Sequence, residues 1–145
     1  MTGVDPDRVI AAARLWLGTP YHDQASVRGV GCDCLGLVRG VWRELHGPEP
    51  MPIPPYGRDW GEIVTREPLA EAARAVMLER PPTEFAPGAL ILFRMRTGAV
   101  AKHCGIVTSS DRFIHAYERS GVVEAPLDAS WRRRIAFAFL FPDPS

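Results

Sequence analysis

Lysine is almost missing from this chain: of 17 basic residues only Lys102 is a lysine, and arginine supplies the rest of the positive charge. Acidic residues also number 17, so the formal net charge is zero. A neutral chain has no surplus positive field with which to hold nucleic acid or an anionic membrane, and neither is expected as a partner. Cysteine is scarce as well. Three are an odd number, too few for a disulfide framework, and point to free thiols in a reducing compartment. No apolar run approaches the ~20 residues that cross a bilayer, so membrane insertion is not expected. The opening Met1-Thr2-Gly3-Val4-Asp5-Pro6 has neither the basic start nor the apolar stretch of a secretory signal. The expectation is synthesis in the cytoplasm, with any substrate outside it reached by some other carrier.

What is present suffices for one soluble domain spanning 1–145, with 46% apolar residues to fill a core. Helix signals come first. Asp5 is a cap, Pro6 suits a first helical position and Gly18 a stop, which predicts a helix from Asp5 to Leu17 with Val9, Ile10, Ala13, Trp16 and Leu17 inward. A glycine-spotted loop, Thr19 to Gly31, leads to a second helix from Cys34 to His46, capped by Asp33 and closed by Gly47. Its apolar residues Leu37, Val38, Val41, Trp42 and Leu45 keep helical spacing. Five prolines between Pro48 and Pro55 exclude helix and predict an extended connector. A third helix is predicted from Thr65 to Glu79, burying Leu69, Ala72, Ala73, Val76 and Met77. Strand patterns follow at Ala89–Arg94, His103–Thr108, Arg112–Tyr117, Gly121–Ala125 and Arg134–Phe141. Helices first and antiparallel strands second read as an α+β fold.

Chemistry concentrates at Cys34. A thiol in the first turn of a helix meets unpaired backbone N–H groups and the positive end of the dipole. Both favour thiolate, the nucleophilic form. A cysteine nucleophile needs a base and the base an orienting partner, and His103 and His115 are the candidates. If Thr108 pairs with Arg112 in a hairpin, His103 stands opposite Tyr117 and His115 opposite Gly105. The histidines then occupy diagonal positions on one face, roughly 7–8 Å apart at the backbone. Cys104 and Ile106 face the other way. The second helix is expected to lay Cys34 against the histidine face.

Several segments, in order, resemble the NlpC/p60 family of bacterial cell-wall cysteine peptidases. Asp33-Cys34-Leu35-Gly36-Leu37-Val38 resembles its Asp-Cys-Ser-Gly-Leu-Val signature. Gly18-Thr19-Pro20-Tyr21, Pro87-Gly88-Ala89-Leu90, His103-Cys104-Gly105-Ile106-Val107 and Phe113-Ile114-His115-Ala116 resemble its flanking motifs. The resemblance implies a papain-like α+β fold and hydrolysis of amide bonds in peptidoglycan stem peptides, commonly at D-glutamate–diaminopimelate. It implies Cys34 as nucleophile, His103 as general base and acid, His115 as orienting residue, Tyr21 beside the oxyanion and Asp33 near the substrate's amine end, with no cofactor and no metal. Leu35 replaces the usual serine, and His22-Asp23-Gln24-Ala25-Ser26 replaces the usual glycines. These departures resemble a branch carried by phage tails and gene transfer particles, which implies tail or baseplate proteins as partners and location on a virion-like tail.

Other readings stand beside this one. Cys32, Cys34 and His103, with Cys104, are ligand types that suit zinc, although Cys-x-Cys is not the usual spacing. A non-catalytic tail adaptor would keep the fold without the chemistry. Cys32 reads as a bystander, Cys104 as core packing, and His46 as a surface residue whose charge suits a helix end. His22 reads either as lining the cleft or as facing solvent. Trp60 and Trp131 read as candidates for exposed docking residues. Arg132-Arg133-Arg134 reads as a solvated run, with docking to an acidic partner as its functional alternative.

Overall fold

A computed structural model describes residues 3–50 and 67–144. The proline-rich connector beyond Pro50, Trp60, and Thr65 and Arg66 at the expected start of the third helix lie outside those residues.

The first helix, α1, spans Pro6–Arg14, with the Asp5 carboxylate accepting from the Asp7 N–H at 3.0 Å. It is shorter than the sequence pattern suggests. After Arg14 the chain goes on in turns, and the Gly18 N–H bonds the Val122 carbonyl at 2.9 Å, which draws the segment away from the helix axis. Leu17, expected inside, is 42% exposed, while Ala12 and Trp16 are buried.

After α1 comes a small hairpin of β1, Ser26–Val27, and β2, Gly31–Cys32. This region reads as loop because two-residue strands show no alternation. Helix α2 then runs Cys34–His46 as expected, and Gly47 follows with φ +84. The Asp33 carboxylate accepts from the Gly36 N–H at 2.7 Å. Such a cap contributes about 1 kcal/mol. Leu37, Val38, Val41 and Leu45 are buried on its inner side. A Cβ at Gly40 would run into the Trp16 ring, so the bare backbone there lets α1 and α2 pack closely.

Helix α3, Pro68–Val76, buries Leu69, Ala70 and Ala73. Its end was expected at Glu79, but β3, Leu78–Arg80, takes over. The cause is pairing: Leu78, Glu79 and Arg80 stand opposite Leu140, Phe139 and Ala138 at the sheet edge.

The remaining elements are β4 (Leu90–Phe93), β5 (His103–Ser109), β6 (Arg112–Tyr117), β7 (Gly121–Pro126), a one-turn helix α4 (Ala129–Arg132) and β8 (Ile135–Leu140). With β3 they form an antiparallel sheet in the order β3-β8-β4-β5-β6-β7. Ile106 pairs with Ile114 and Val107 with Phe113, the expected register. At the turn the register slips and Ser109, not Thr108, meets Arg112. The bulge frees the Thr108 hydroxyl to donate to Glu124 at 2.9 Å.

Strand alternation divides the core in two. Leu90, Leu92, Cys104, Ile106, Ile114 and Ala116 face the helices and join the inner faces of α1, α2 and α3. Ile91, Phe93, Val107, Phe113 and Ala138 face the opposite way, where Leu127 and Trp131 cover them. Each fully buried Leu, Ile or Phe contributes roughly 1.5–3 kcal/mol, so both layers are strongly held. The fold is α+β, as expected.

Candidate active site

Cys34 is the first residue of α2, and its side chain is half-buried. At this tip the sulfur overhangs the start of β5, with Sγ 3.7 Å from the Lys102 carbonyl oxygen. The Cys104 thiol lies 3.4 Å from the Cys34 carbonyl oxygen. Hydrogen bonding from Cys104, followed by a hydrogen bond and positive charge from His103, holds the Cys34 thiol well below its ordinary range, against burial and the charge of Asp33. Cys104 moves the other way, raised by the same contact and by burial, and stays a protonated donor. The two shifts run in opposite directions and favour thiolate at Cys34 over Cys104.

His103 Nε2 and His115 Nδ1 are 2.8 Å apart. His115 is 3% exposed. Burial, and secondarily the charge of His103, push its pKa down to about 3, so it is neutral at physiological pH. When His103 is protonated opposite the thiolate, both of its nitrogens are donors. Its Nε2–H then donates to the Nδ1 lone pair of neutral His115, which leaves Nδ1 of His103 for the sulfur. Aromatic rings fix the pair. Phe93 and Trp131 lie 5.7 Å from His103, and Phe113 and Trp131 lie 4.3 and 5.1 Å from His115. Gly105 sits on the same face. A Cβ there would come within 2.8 Å of the Phe113 ring and 3.2 Å of the His115 Cβ.

One expectation is corrected. Helix α2 does not pack on the histidine face; its apolar stripe packs on the Cys104 and Ile106 face. Cys34 meets His103 at the end of the sheet, because the thiol is at the helix tip and His103 is the first residue of β5. Trp131, read as a candidate docking residue, is instead the ring that packs on both imidazoles. Its signal was hidden, since a one-turn helix has no period to detect. Cys104, read as packing, is also a donor to the site. Alternation places its side chain on the helix side, where Cys34 sits, so that signal was in the sequence.

Tyr21 lines a cleft of about 510 Å³ together with Cys34, Lys102, His103 and Tyr117. Burial first, then the charges of Cys34 and Asp33, raise its phenol, so the hydroxyl stays a donor. Asp33 is 3% exposed, and its oxygens accept from the Gly36 and Gln24 N–H groups, both at 2.7 Å. It anchors the helix tip and the preceding loop, and has little surface to offer a ligand. Cys32 is fully buried, its thiol pushed up to about 12 by burial. Among the described residues no three His, Cys, Asp or Glu side chains gather as a metal-holding group. His22 faces solvent. His46 stacks on Trp42 at 4.2 Å, and burial followed by Arg8 lowers its pKa, so the expected helix-end charge is not favoured there. No helix among the described residues is long and apolar enough to cross a membrane.

The chain is similar in sequence and fold to known proteins. The chain is 29% identical over 113 residues to the probable endopeptidase NlpC of Escherichia coli K12, covering 78% of this chain and 62% of that one. It is 30% identical over 121 residues to the murein DD-endopeptidase MepS/murein LD-carboxypeptidase of the same organism, covering 82% and 54%. It thus spans little more than half the length of these relatives. The fold matches the crystal structure of an NlpC/P60 family protein from Bacillus cereus ATCC 10987 with a TM-score of 0.68 at 18% identity, over 97% of this chain and 41% of that one. The family model described as NlpC/P60 matches residues 18–138, most of the chain, and the protein belongs to the NlpC/P60 family.

Proposed function

We propose that this protein is a cysteine peptidase that hydrolyses amide bonds in peptidoglycan stem peptides, at D-glutamate–diaminopimelate, without a cofactor. The observation that carries the reading is the convergence of a thiolate-favoured Cys34 and His103 on one open cleft, with buried His115 2.8 Å from His103. The endopeptidase and murein peptidase names of the two E. coli relatives support the choice of substrate.

In this mechanism the Cys34 thiolate adds to the amide carbonyl. The oxyanion faces the Cys34 N–H, which has no acceptor within the helix, and the Tyr21 hydroxyl, kept protonated by its surroundings. Loss of one such donor costs about 2.7–4 kcal/mol in the barrier. Protonated His103 gives its Nδ1 proton to the leaving amine, the C–N bond breaks and a thioester remains. Neutral His103 then takes a proton from water as the hydroxide adds. Collapse releases the acid and restores thiolate and imidazolium. His115 holds His103 through Nε2, the part played by the third member of a triad. Asp33 serves by seating the helix tip that carries the sulfur.

We also place the protein on a phage-like tail, docked to tail or baseplate proteins, on the support of Leu35 and the His22–Ser26 segment. Purified particles probed for this chain test that placement. The chemistry is tested by incubating the protein and its Cys34→Ala variant with purified muropeptides and weighing the products. Hydrolysis by the parent and none by the variant is the expected result, and equal cleavage by both would overturn the mechanism.

A further inference from the structure

Next to the catalytic cleft lies a second groove, of about 620 Å³, and Met95 lines both. Among the described residues its walls hold Arg94, Arg96, Arg133 and Arg134 and no carboxylate. In a chain of zero net charge this is a local excess of positive charge. Two of the four are committed. Arg94 pairs with Glu67 at 2.6 Å and donates to the Ala99 carbonyl at 2.9 Å. Arg134 donates to the Ser130 hydroxyl at 2.7 Å and lies over the Trp131 ring at 5.7 Å. Arg96 and Arg133 are exposed and form no ion pair with any of the described residues. One comes from the loop after β4 and the other is the residue that closes α4. Guanidiniums that line one groove without an ion-pair partner among the described residues suit an anion with oxygens to share, and the guanidinium fork matches a carboxylate.

The groove is also held rigidly to the catalytic centre. Phe93, next to Arg94, pairs with His103 across β4 and β5. Trp131, two residues before Arg133, packs on His103 and His115. A peptide lying with its scissile amide over Cys34 and passing Met95 reaches the arginines.

We propose that this groove binds a free carboxylate of the substrate peptide on the far side of Met95 from Cys34, with Arg96 and Arg133 as its specificity-determining residues. The proposal rests on the peptidase reading, and its test separates the two. The probe is a stem tetrapeptide with a free carboxylate one or two residues from the scissile amide, compared with the same peptide amidated at that group. Binding of both to the full-length Cys34→Ala protein is measured by calorimetry at low and high salt. The acid form should bind about tenfold tighter or more, and this preference should shrink with salt. Adding Arg96→Gln and Arg133→Gln should abolish the preference while leaving the amide's affinity unchanged; thermal melts check that the fold is kept. In the Cys34 parent, the two Gln substitutions should raise KM for the acid peptide and leave kcat alone. Equal binding of acid and amide, or weakening of both by the Gln substitutions, overturns the proposal. So does binding of inorganic phosphate at these arginines without any acid-over-amide preference. A retained acid preference with no cleavage by the parent would support the groove and sink the peptidase reading.

Discussion

Replacing Cys104 should make Cys34 a poorer nucleophile without touching it. The Cys104 thiol lies on the helix side of the sheet, 3.4 Å from the Cys34 carbonyl oxygen, and hydrogen bonding from it is the largest influence holding the Cys34 thiol low. Hydrogen bonds to charged groups contribute about 1.5–3 kcal/mol, and S–H is a weak donor, so the lower end applies. One pKa unit corresponds to about 1.4 kcal/mol, so Cys104→Ala should raise the Cys34 midpoint by about one pH unit. The assay is iodoacetamide alkylation followed by intact mass across pH. Cys32 does not interfere, being fully buried with its thiol held up to about 12. Below both midpoints the rate of Cys34→thioether conversion should fall about tenfold in the Ala variant. Cys104→Ser offers a hydroxyl donor at the same position and should hold the midpoint low. An unchanged midpoint in Cys104→Ala, or a Ser variant shifted as far as the Ala one, would refute the donor role.

Two further outcomes follow from the histidine face. His115 ordinarily titrates near 6.5, but burial holds it down to about 3 in the fold, so between these values the unfolded chain binds the proton and the native one does not. Stability should therefore fall as pH drops through this window, with a contribution of about 1.4 kcal/mol per pH unit that His115→Gln removes; urea melts at pH 6 and pH 4 on both proteins measure it. Gly105→Ala should overpack the same face, lowering stability by about 1–3 kcal/mol and slowing Cys34 alkylation as the His103–His115 contact opens, which a thermal melt and the alkylation assay read together.

The sequence made some of this legible and concealed the rest for physical reasons. Helix α2 was readable to the residue because cap, period and stop agree: Asp33, the Leu37–Leu45 stripe and Gly47. The β5–β6 hairpin was readable because its alternation puts His103 and His115 on one face, and the observed register does the same. The bulge at Thr108 was not, since nothing local distinguishes a three-residue loop from one with an extra unpaired residue. Strand β3 was hidden by tertiary pairing, for Leu78–Arg80 extends only because β8 offers it an edge. Tyr21 in the cleft could be placed from its motif, whereas the burial of Asp33 could not, because a cap and a substrate contact ask for the same residue type.

The packing of α2 explains why these short motifs suffice to build a site. A nucleophile laid flat on the histidine face would have to share that face with Phe93, Phe113 and Trp131, which already fill it. Putting the helix on the other face leaves those rings free to clamp the imidazoles. The thiol then has to reach round the end of the sheet, and it can do so only from the first turn of α2 to the first residue of β5. That geometry makes two small features decisive. Asp33, buried and bonded to Gly36 and Gln24, sets where the helix begins. Gly105 leaves His115 the room to stand beside His103. Shifting the start of α2 by one residue would swing the sulfur by about 100°, a fraction of the 3.6-residue turn, and part it from an imidazole pair that the aromatic layer does not allow to follow.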